Sequence, residues 1–516
     1  MSLSTVGRPA PAAGLRPPDR PAGPTGATGH DRLRWTGFGG VLLLTAAAWT
    51  GVAASPSSTA AALSLAAGVT GAGLLVLSWA LLGRAVFTGP TPPTARGLVW
   101  TLVLWCAPLL VAPPLFSADV FSYLAQGEIA ARGLDPHVVG PARGLGAASE
   151  VVGRVGAHWR DTPSPYGPLF GAVERLVARV SEGDPVTGVL LHRLIGLLGL
   201  VPVVWAVLRL ASAAGASRRA ALWLGVLNPL VLWHLVAGVH NDALMLGLML
   251  AGTAIALRAL EARVEWRPLA LGVVLIALGA LVKLPALVAL AVVGTALARR
   301  RGGRFGDFLL AGVGMVVAFA AVSAAVSSLT GLGFGWVGAL GTSGRVASWL
   351  APTNWFGFLV GGAGAVFGAQ ITPVALGVGR VLGSVLVVCG IGVLLHRQLR
   401  GRVDAVTSLG GALGLVVVFG PVVQPWYLLW AVIPLATTRL PRRAWTGLGA
   451  LVALSAVLVP PPAGDHTGHL GPLVFGYGVG ALLVGVAFLL LRGAPPHRSA
   501  PGVSMSPGAP PAPAPA

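Results

Sequence analysis

Asp119 is the first charged residue after the apolar run 97–115, and Ser117 precedes it by two residues. A carboxylate in a partly desolvated cleft at a lipid–water boundary can act as a general base. Serine and aspartate are also common helix N-caps, so either residue could simply cap the helix that follows. The local pattern leaves two roles open for Asp119, a catalytic base or a cap.

His240, Asn241 and Asp242 interrupt an apolar stretch and offer an imidazole, an amide and a carboxylate for substrate binding. They could equally form a short polar turn in which Asn241 or Asp242 caps the next helix. No second His or Cys stands at metal-ligand spacing from His240, so we expect no metal site and no cofactor.

Lys283, the only lysine of the chain, stands inside the apolar segment "LGALVKLPALVAL". An unpaired cation within a membrane helix costs ~2.5–3.5 kcal/mol, and Pro285 breaks the helix beside it. Lys283 could snorkel to the membrane surface. A turn at the outer surface would instead bring it near the other polar groups, which favours a role in anion binding.

The motif "QPWY" places Gln424, Trp426 and Tyr427 at the end of another apolar run. Aromatic residues at that depth are usually anchors in the membrane–water interface. They are also the side chains on which sugar rings stack. Both roles stay open from the sequence.

These polar groups must be held by elements built from a very apolar chain. Of its 516 residues, 55% are hydrophobic and only 10% are charged, and the mean hydropathy is +0.81. A soluble domain has about 25% charged residues, so the composition indicates an all-α polytopic membrane protein. The net charge of +19 comes from arginines clustered between apolar runs. That distribution follows the positive-inside rule, and we expect no nucleic-acid partner.

Segments of ~20 apolar residues predict the membrane-spanning helices. The runs that qualify are roughly 36–54, 60–82, 97–115, 188–210, 220–239, 243–257, 308–330, 371–395, 405–421, 425–438, 444–460 and 472–491. The segment 268–298 is too long for one crossing and is basic at both ends, so we expect two short helices with "VKLPA" at the turn. The bundle then has about 12–14 transmembrane helices.

The arginine clusters assign one face of this bundle to the cytoplasm. The four polar groups and the long loop 116–187 then fall on the opposite, extracytoplasmic face. The ends of the chain, 1–34 and 492–516, are rich in Pro and Gly and predict disordered cytoplasmic tails around a transmembrane domain of 35–491.

The loop 116–187 begins with "VFSYLAQGEIAARG", which predicts an amphipathic helix with Phe121, Leu124, Ala125 and Ile129 on its apolar side. Gly133 would cap its C-terminus. A helix of this kind beside a membrane exit is expected to lie along the interface.

Several of these stretches together resemble a known family. They are "SADVFSYLAQGEIAARGLDPHVVGP", "SPYGPLF", "NPLVLWHLVAGVHNDALMLGLMLAG", "ALVKLPAL" and "QPWYLLW". In this order they are similar to the actinobacterial polyprenol-phosphate-mannose-dependent α-1,6-mannosyltransferases of the MptA/MptB type, which belong to the GT-C class of multispanning glycosyltransferases. The likeness covers about residues 100 to 440.

The resemblance implies a plasma-membrane enzyme that works on the extracytoplasmic face. Its donor would be polyprenyl-phosphate-mannose, and its acceptor a growing lipid-anchored mannan of the lipomannan or lipoarabinomannan type, extended through α-1,6 linkages. GT-C enzymes carry an acidic residue near the start of the first large outer loop, so Asp119 becomes the candidate catalytic base. Tyr166 and Arg160 match positions near the cleft only loosely.

One carboxylate is enough for a single inverting displacement, because polyprenyl phosphate leaves as a stable anion. Lys283, His240 and one loop arginine are the candidates for stabilising that anion. Other functions remain open: a GT-C enzyme for α-1,2 linkages or a different sugar, a transporter or flippase, and a non-catalytic membrane assembly protein. The absence of a visible internal repeat speaks modestly against transporters built from repeats.

Overall fold

The computed structural model describes residues 29–339, 341, 347–462, 466 and 468–493, and every regular element in that part of the chain is a helix. The first part of the chain forms α1 Gly29–Ala53, α2 Thr59–Thr88, α3 Ala95–Leu109, α4 Asp119–Ala131, α5 Pro141–Leu145, α6 Glu150–Arg154, α7 Pro168–Ser181, α8 Pro185–Ala213, α9 Arg218–Gly225 and α10 Asp242–Arg258. The remainder forms α11 Trp266–Ala280, α12 Leu287–Arg301, α13 Phe305–Thr330, α14 Gly335–Ala339, α15 Pro352–Val366, α16 Thr372–Leu399, α17 Ala405–Phe419, α18 Leu428–Ala436, α19 Arg442–Val457 and α20 Leu470–Gly493.

Several of these helices start where the sequence supplies a capping side chain. Ser58, Thr94, Asp184, Ser217 and Asp404 each accept a hydrogen bond from the backbone N–H three residues further on. Such a cap satisfies one of the free donors of the first helical turn, and replacing it by alanine typically costs ~1 kcal/mol.

The all-α polytopic class predicted from composition is confirmed. Among the described residues, six helices are long and apolar enough to cross a membrane, namely α1, α2, α8, α13, α16 and α20. A pair bent by 110°, Val231–Ala237 with α10, makes a seventh if it is counted as one span. Four further apolar helices have only 10 to 17 residues. The predicted total of 12–14 crossings depends on whether such short helices span the membrane, and it stays a prediction.

The segment around Lys283 folds back on itself as the sequence predicts. α11 ends at Ala280, a 3₁₀ turn follows at Leu284–Ala286, and α12 begins at Leu287. Arg301 at the end of α12 lies over the ring of Trp266 at the start of α11. The two basic ends therefore meet at one end of this hairpin, and "VKLPA" lies at the other.

The helix that opens the long loop also forms, but it is more deeply packed than expected. Gly133 has a positive φ of 80°, and the N–H of Leu134 bonds to the carbonyl of Ile129, which completes a Schellman-type C-cap. Nine of the 13 residues of α4 are buried. The helix packs against α7 instead of presenting one free apolar face, because α7 returns across it within the same loop.

Both ends of the described chain differ slightly from the predicted tail boundaries. α1 begins at Gly29, inside the predicted N-terminal tail, and α20 ends at Gly493, inside the predicted C-terminal tail. The tail residues 1–28 and 494–516 lie outside the described residues.

Candidate functional site

Asp119 stands at the first position of α4, and its carboxylate faces a histidine from another part of the chain. The Asp119 Oδ2 atom lies 3.4 Å from Nδ1 of His240, which is longer than a hydrogen bond. Neither Ser117 nor Asp119 occupies the N-cap position of α4, which is Ala118. The Oγ of Ser117 accepts the backbone N–H of Asp119 at 3.1 Å. The carboxylate thus remains available, with 21% of the side chain exposed.

The surroundings of Asp119 raise its pKa to about 6. Burial is the largest cause, since it disfavours the charged carboxylate, and the negative charge of Asp242 acts in the same direction. Lys283 and the Ser117 hydroxyl oppose this shift and lower the pKa. A carboxylate with a pKa about one unit below neutral is suited to accept a proton from a hydroxyl at physiological pH.

His240 is part of a buried cluster of rings. Its imidazole stacks on the indole of Trp426, with centroids 3.8 Å apart and planes at 26°. His234 lies 5.0 Å from the same indole and 5.7 Å from His240, measured between ring centroids. The imidazole nitrogens of both histidines are buried and make no hydrogen bond within the described chain. Buried polar atoms of this kind normally have a partner, so they are candidates to bind substrate hydroxyls.

His234 was not among the site residues predicted from the sequence. It lies in a π-helix, Val231–Ala237, and its carbonyl accepts the N–H of His240. The two histidines lie six positions apart, which is not a spacing that an α-helix brings to one face. The only signal was a second histidine in a stretch that is otherwise apolar, and π-helical turns often mark functional sites.

The aromatic residues of "QPWY" are largely engaged with one another. Trp426 is 7% exposed and His240 covers one face of its indole, so it is not an anchor in the interface, and that face is not open to a sugar ring. Tyr427 stacks on Trp430 with centroids 4.0 Å apart. Gln424 is half-buried, and its carbonyl accepts the N–H of Tyr427.

Lys283 forms an ion pair that the sequence analysis did not foresee. Its Nζ lies 2.8 Å from Oδ2 of Asp242, and the indole N–H of Trp430 donates to the other carboxylate oxygen at 2.6 Å. The ammonium also lies 4.8 Å from the ring centroid of Tyr427. Asp242 is fully buried and Lys283 nearly so. The lysine is therefore held at the site and does not snorkel.

Asn241 completes this part of the site. It occupies the N-cap position of α10, yet its side chain makes no capping hydrogen bond. Both amide atoms are buried and have no partner within the described chain. The carboxylate of Asp242 is engaged by Lys283 and Trp430, so the capping bond expected for a simple polar turn is missing. The amide of Asn241 is available to a ligand.

The two loop residues predicted near the cleft differ in position. Tyr166 packs edge-on against Tyr123, one turn beyond Asp119 in α4, with centroids 5.5 Å apart. Burial and, next, the charge of Asp119 raise the pKa of the Tyr166 phenol. Arg160 instead is exposed and donates to the carbonyls of Val155 and Gly153 in its own loop. Tyr166 therefore lies at the site, whereas Arg160 stabilises the conformation of its own loop.

One cavity lies at the opposite end of the bundle. It has a volume of about 850 Å³ and includes Arg209, Arg258 and Arg439 in its lining. These residues belong to the arginine-rich ends of the helices, whereas Asp119 and Lys283 lie at the other ends. This cavity is not part of the candidate site. Within the described part of the chain, no three His, Cys, Asp or Glu side chains come together in a group that could hold a metal ion.

Comparison with known proteins matches most of the chain to one family. Residues 26–299 match a family model described as the N-terminal domain of alpha-(1->6)-mannopyranosyltransferase, and residues 353–490 match a model for the MptB C-terminal domain. No solved structure matches the chain with significance.

Individual relatives have the same name as this family, and the chain matches them over most of their length. The chain is 41% identical over 472 residues to a protein of Mycolicibacterium smegmatis named "probable alpha-(1->6)-mannopyranosyltransferase", covering 87% of this chain and 84% of that protein. It is 40% identical to an alpha-(1->6)-mannopyranosyltransferase of Mycobacterium tuberculosis, covering 78% of this chain and 76% of the relative. With alpha-(1->6)-mannopyranosyltransferase B of Corynebacterium glutamicum the identity is 34%, over 80% and 73% of the two chains.

Proposed function

The chain belongs to the alpha-(1->6)-mannopyranosyltransferase family, and from that membership we propose that it transfers mannose from polyprenyl-phosphate-mannose to a lipid-anchored mannan. The transfer extends the α-1,6-linked core of a lipomannan or lipoarabinomannan-type glycolipid. It takes place on the extracytoplasmic face of the plasma membrane. A lipid-linked donor suits a site made of helix ends and a loop that packs onto them, because the polyprenyl chain can stay in the bilayer while its phosphate reaches the polar residues.

The proposed reaction is a single displacement at the anomeric carbon. The carboxylate of Asp119 accepts the proton of the acceptor 6-hydroxyl as that oxygen bonds to the anomeric carbon. The bond between this carbon and the phosphate oxygen breaks, and its electron pair leaves with polyprenyl phosphate. The transition state has oxocarbenium character, and inversion converts a β-linked donor into an α-linked product.

Lys283 and His240 are proposed to act on the departing phosphate. The ammonium has three donors, of which one faces Asp242, so two remain for phosphate oxygens. Asp242 neutralises part of its charge, which makes hydrogen-bond donation as important as charge in this role. His240 or His234 can bind a sugar hydroxyl or a phosphate oxygen through nitrogens that make no hydrogen bond within the described chain. Asn241, Tyr166 and the "QPWY" residues are proposed to line the sugar-binding cleft.

One observation carries the proposal: at the end of the bundle where Lys283 also lies, the carboxylate of Asp119, with its pKa raised to about 6, stands beside buried imidazoles that make no hydrogen bond within the described chain. The test replaces Asp119 by Asn in the full-length protein and measures mannose transfer from the lipid-linked donor to an oligomannoside acceptor. We expect turnover to fall by about two to four orders of magnitude, the usual share of general-base catalysis. Asp161→Asn is the matched control, because Asp161 is an exposed carboxylate of the same loop.

Full turnover of Asp119→Asn would remove Asp119 from the mechanism. Linkage analysis of the product tests the second part of the proposal. A 1,2-linked product, or transfer of a sugar other than mannose, would support the alternative GT-C function.

A further inference from the structure

Arg193 is a buried cation that the proposed reaction does not use. It lies in α8 and is 2% exposed. Among the described residues no carboxylate pairs with it. Its guanidinium instead donates to four backbone carbonyls: Nη1 to Leu110 and Ala112 at 2.7 and 2.9 Å, Nε to Val236 at 3.2 Å, and Nη2 to Ala237 at 3.3 Å. A buried charge is costly unless its donors are satisfied, so a buried arginine that bonds only to backbone carbonyls suggests a specific structural role.

The four carbonyls belong to the two segments that carry the facing residues of the site. The carbonyls of Leu110 and Ala112 precede Asp119, and those of Val236 and Ala237 precede His240. A single guanidinium thus bridges two segments that are more than 100 residues apart in sequence. A direct bond joins the same segments, because the N–H of Leu115 donates to the carbonyl of Ala237 at 3.2 Å.

Both segments contain a strained residue between the bridge and the site. Phe116 has φ 63° and Val239 has φ 57°, and they are two of the three non-glycine residues with positive φ in the described chain. Positive φ is a clear outlier for a β-branched residue such as valine. Strain of this kind persists only where the surrounding contacts enforce it.

We propose that Arg193 is a positioning residue for the transfer reaction: it holds the two strained segments together so that Asp119 faces His240. The inference rests on the proposed role of Asp119 as the base. The planar guanidinium bonds to both segments at once, with donors pointing in fixed directions. A lysine in the same place keeps the charge but has one nitrogen, so it cannot reach all four carbonyls.

The test compares Arg193→Lys and Arg193→Gln with Arg209→Lys in the full-length enzyme. Arg209 is the matched control, because it lies on the same helix but is exposed at the other end. For Arg193→Lys with a normal content of folded protein, we expect kcat to fall about ten- to a hundredfold, which is the size of effect that a 1 Å misplacement produces. The KM for the donor should change much less. We also expect the acid limb of the pH–rate profile to shift away from its wild-type midpoint, which a general loss of folded protein would not cause.

A double variant separates positioning from other roles. If Arg193 acts through Asp119, then Arg193→Lys should slow the Asp119→Asn enzyme far less than it slows the wild type. Equal slowing in both backgrounds would overturn the inference, as would a folded Arg193→Lys enzyme with unchanged kcat and acid limb. Full activity of Asp119→Asn would instead overturn the proposed base, and the Arg193 inference with it. An inactive Asp119→Asn beside an unaffected Arg193→Lys overturns the Arg193 inference alone.

Discussion

At the residue scale, the proposed chemistry depends on the ionisation of one carboxylate. Burial raises the pKa of Asp119 to about 6, and the positive charge of Lys283 limits this rise. The balance matters because a base must be charged at the working pH and still basic enough to accept a hydroxyl proton.

This gives a prediction for the pH dependence of turnover. Asp119 is protonated below its raised pKa and cannot then accept a proton, so kcat/KM should be level above about pH 7 and fall about tenfold per pH unit below about 6. A pH series of initial rates at limiting acceptor measures it. An acid limb near 4, where an ordinary aspartate titrates, would contradict the raised pKa.

The ion pair of Lys283 and Asp242 yields a second prediction at this scale. Lys283→Met leaves a buried carboxylate unpaired, which should destabilise the fold by about 3–5 kcal/mol. Asp242→Asn in the same chain removes that charge, so the double variant should recover much of the stability. Thermal unfolding in detergent measures stability, and mannose transfer measures function in the same preparations.

The two readouts separate the roles of Lys283. If the double variant is stable but inactive, the pair of Lys283 and Asp242 takes part in binding or transfer beyond its contribution to stability. If activity returns together with stability, its role is structural, and the proposed contact with the leaving phosphate is wrong.

The residue types at the site could be predicted from sequence, but most of their partners could not. Asp119, the "HND" residues and Lys283 stand out because a charge inside an apolar run is rare. Trp430 bonds to Asp242 across 188 positions of the chain, and Lys283 across 41. Such contacts depend on helix packing, which a linear pattern does not contain. Arg193 also lies inside an apolar run, but its partners could not be predicted, because they are backbone carbonyls that any sequence supplies.

At the element scale, the site is assembled from interrupted helices. The turn after α11, the π-helix at Val231–Ala237 and the 3₁₀ turn Pro425–Tyr427 each interrupt the regular α-helices beside a polar residue of the site. Interrupting a helix frees backbone groups and aims side chains inward, which is tolerated in a membrane protein where the break is buried in protein. The breaks at Pro285 and Pro425 could be predicted from proline. The π-helix could not, because hydropathy carries no signal for its hydrogen-bond pattern.

The contact between α4 and α7 allows a test of how tightly the loop is packed. A Cβ atom on Gly127 would clash with the backbone carbonyl of Glu174 in α7. Gly127→Ala should therefore push α4 off α7, lower the stability by about 1–3 kcal/mol and reduce turnover by displacing Asp119. Gly153→Ala is the control, because a Cβ there meets nothing within 4 Å. Equal behaviour of the two variants in unfolding and transfer assays would contradict the close packing.

At the scale of the whole molecule, polar chemistry and arginine clusters lie at opposite ends of the same helices. α10 begins at the buried Asp242 and ends at Arg258, and α12 runs from the turn beside Lys283 to Arg301. The sequence predicted this segregation from the positions of charges between apolar runs. It could not predict how many helices span fully, because several are short and their lengths depend on the breaks.

The segregation predicts which end faces which compartment. In a Cys389→Ser background, a cysteine at Ala148 in the long loop should react with a membrane-impermeant thiol reagent in intact cells. A cysteine at Ala262, an exposed position at the arginine-rich end, should react only after the membrane is permeabilised. The opposite pattern would place the site in the cytoplasm and remove the proposed topology.

The single lysine has a practical consequence. Every other basic side chain of the 516 residues is arginine or histidine, so incorporating lysine labelled with ¹⁵N would place one side-chain ammonium signal in the whole protein, at the ion pair with Asp242. Magnetic resonance of that one nucleus could follow donor binding and phosphate departure directly, without a mutation and without assigning any other resonance.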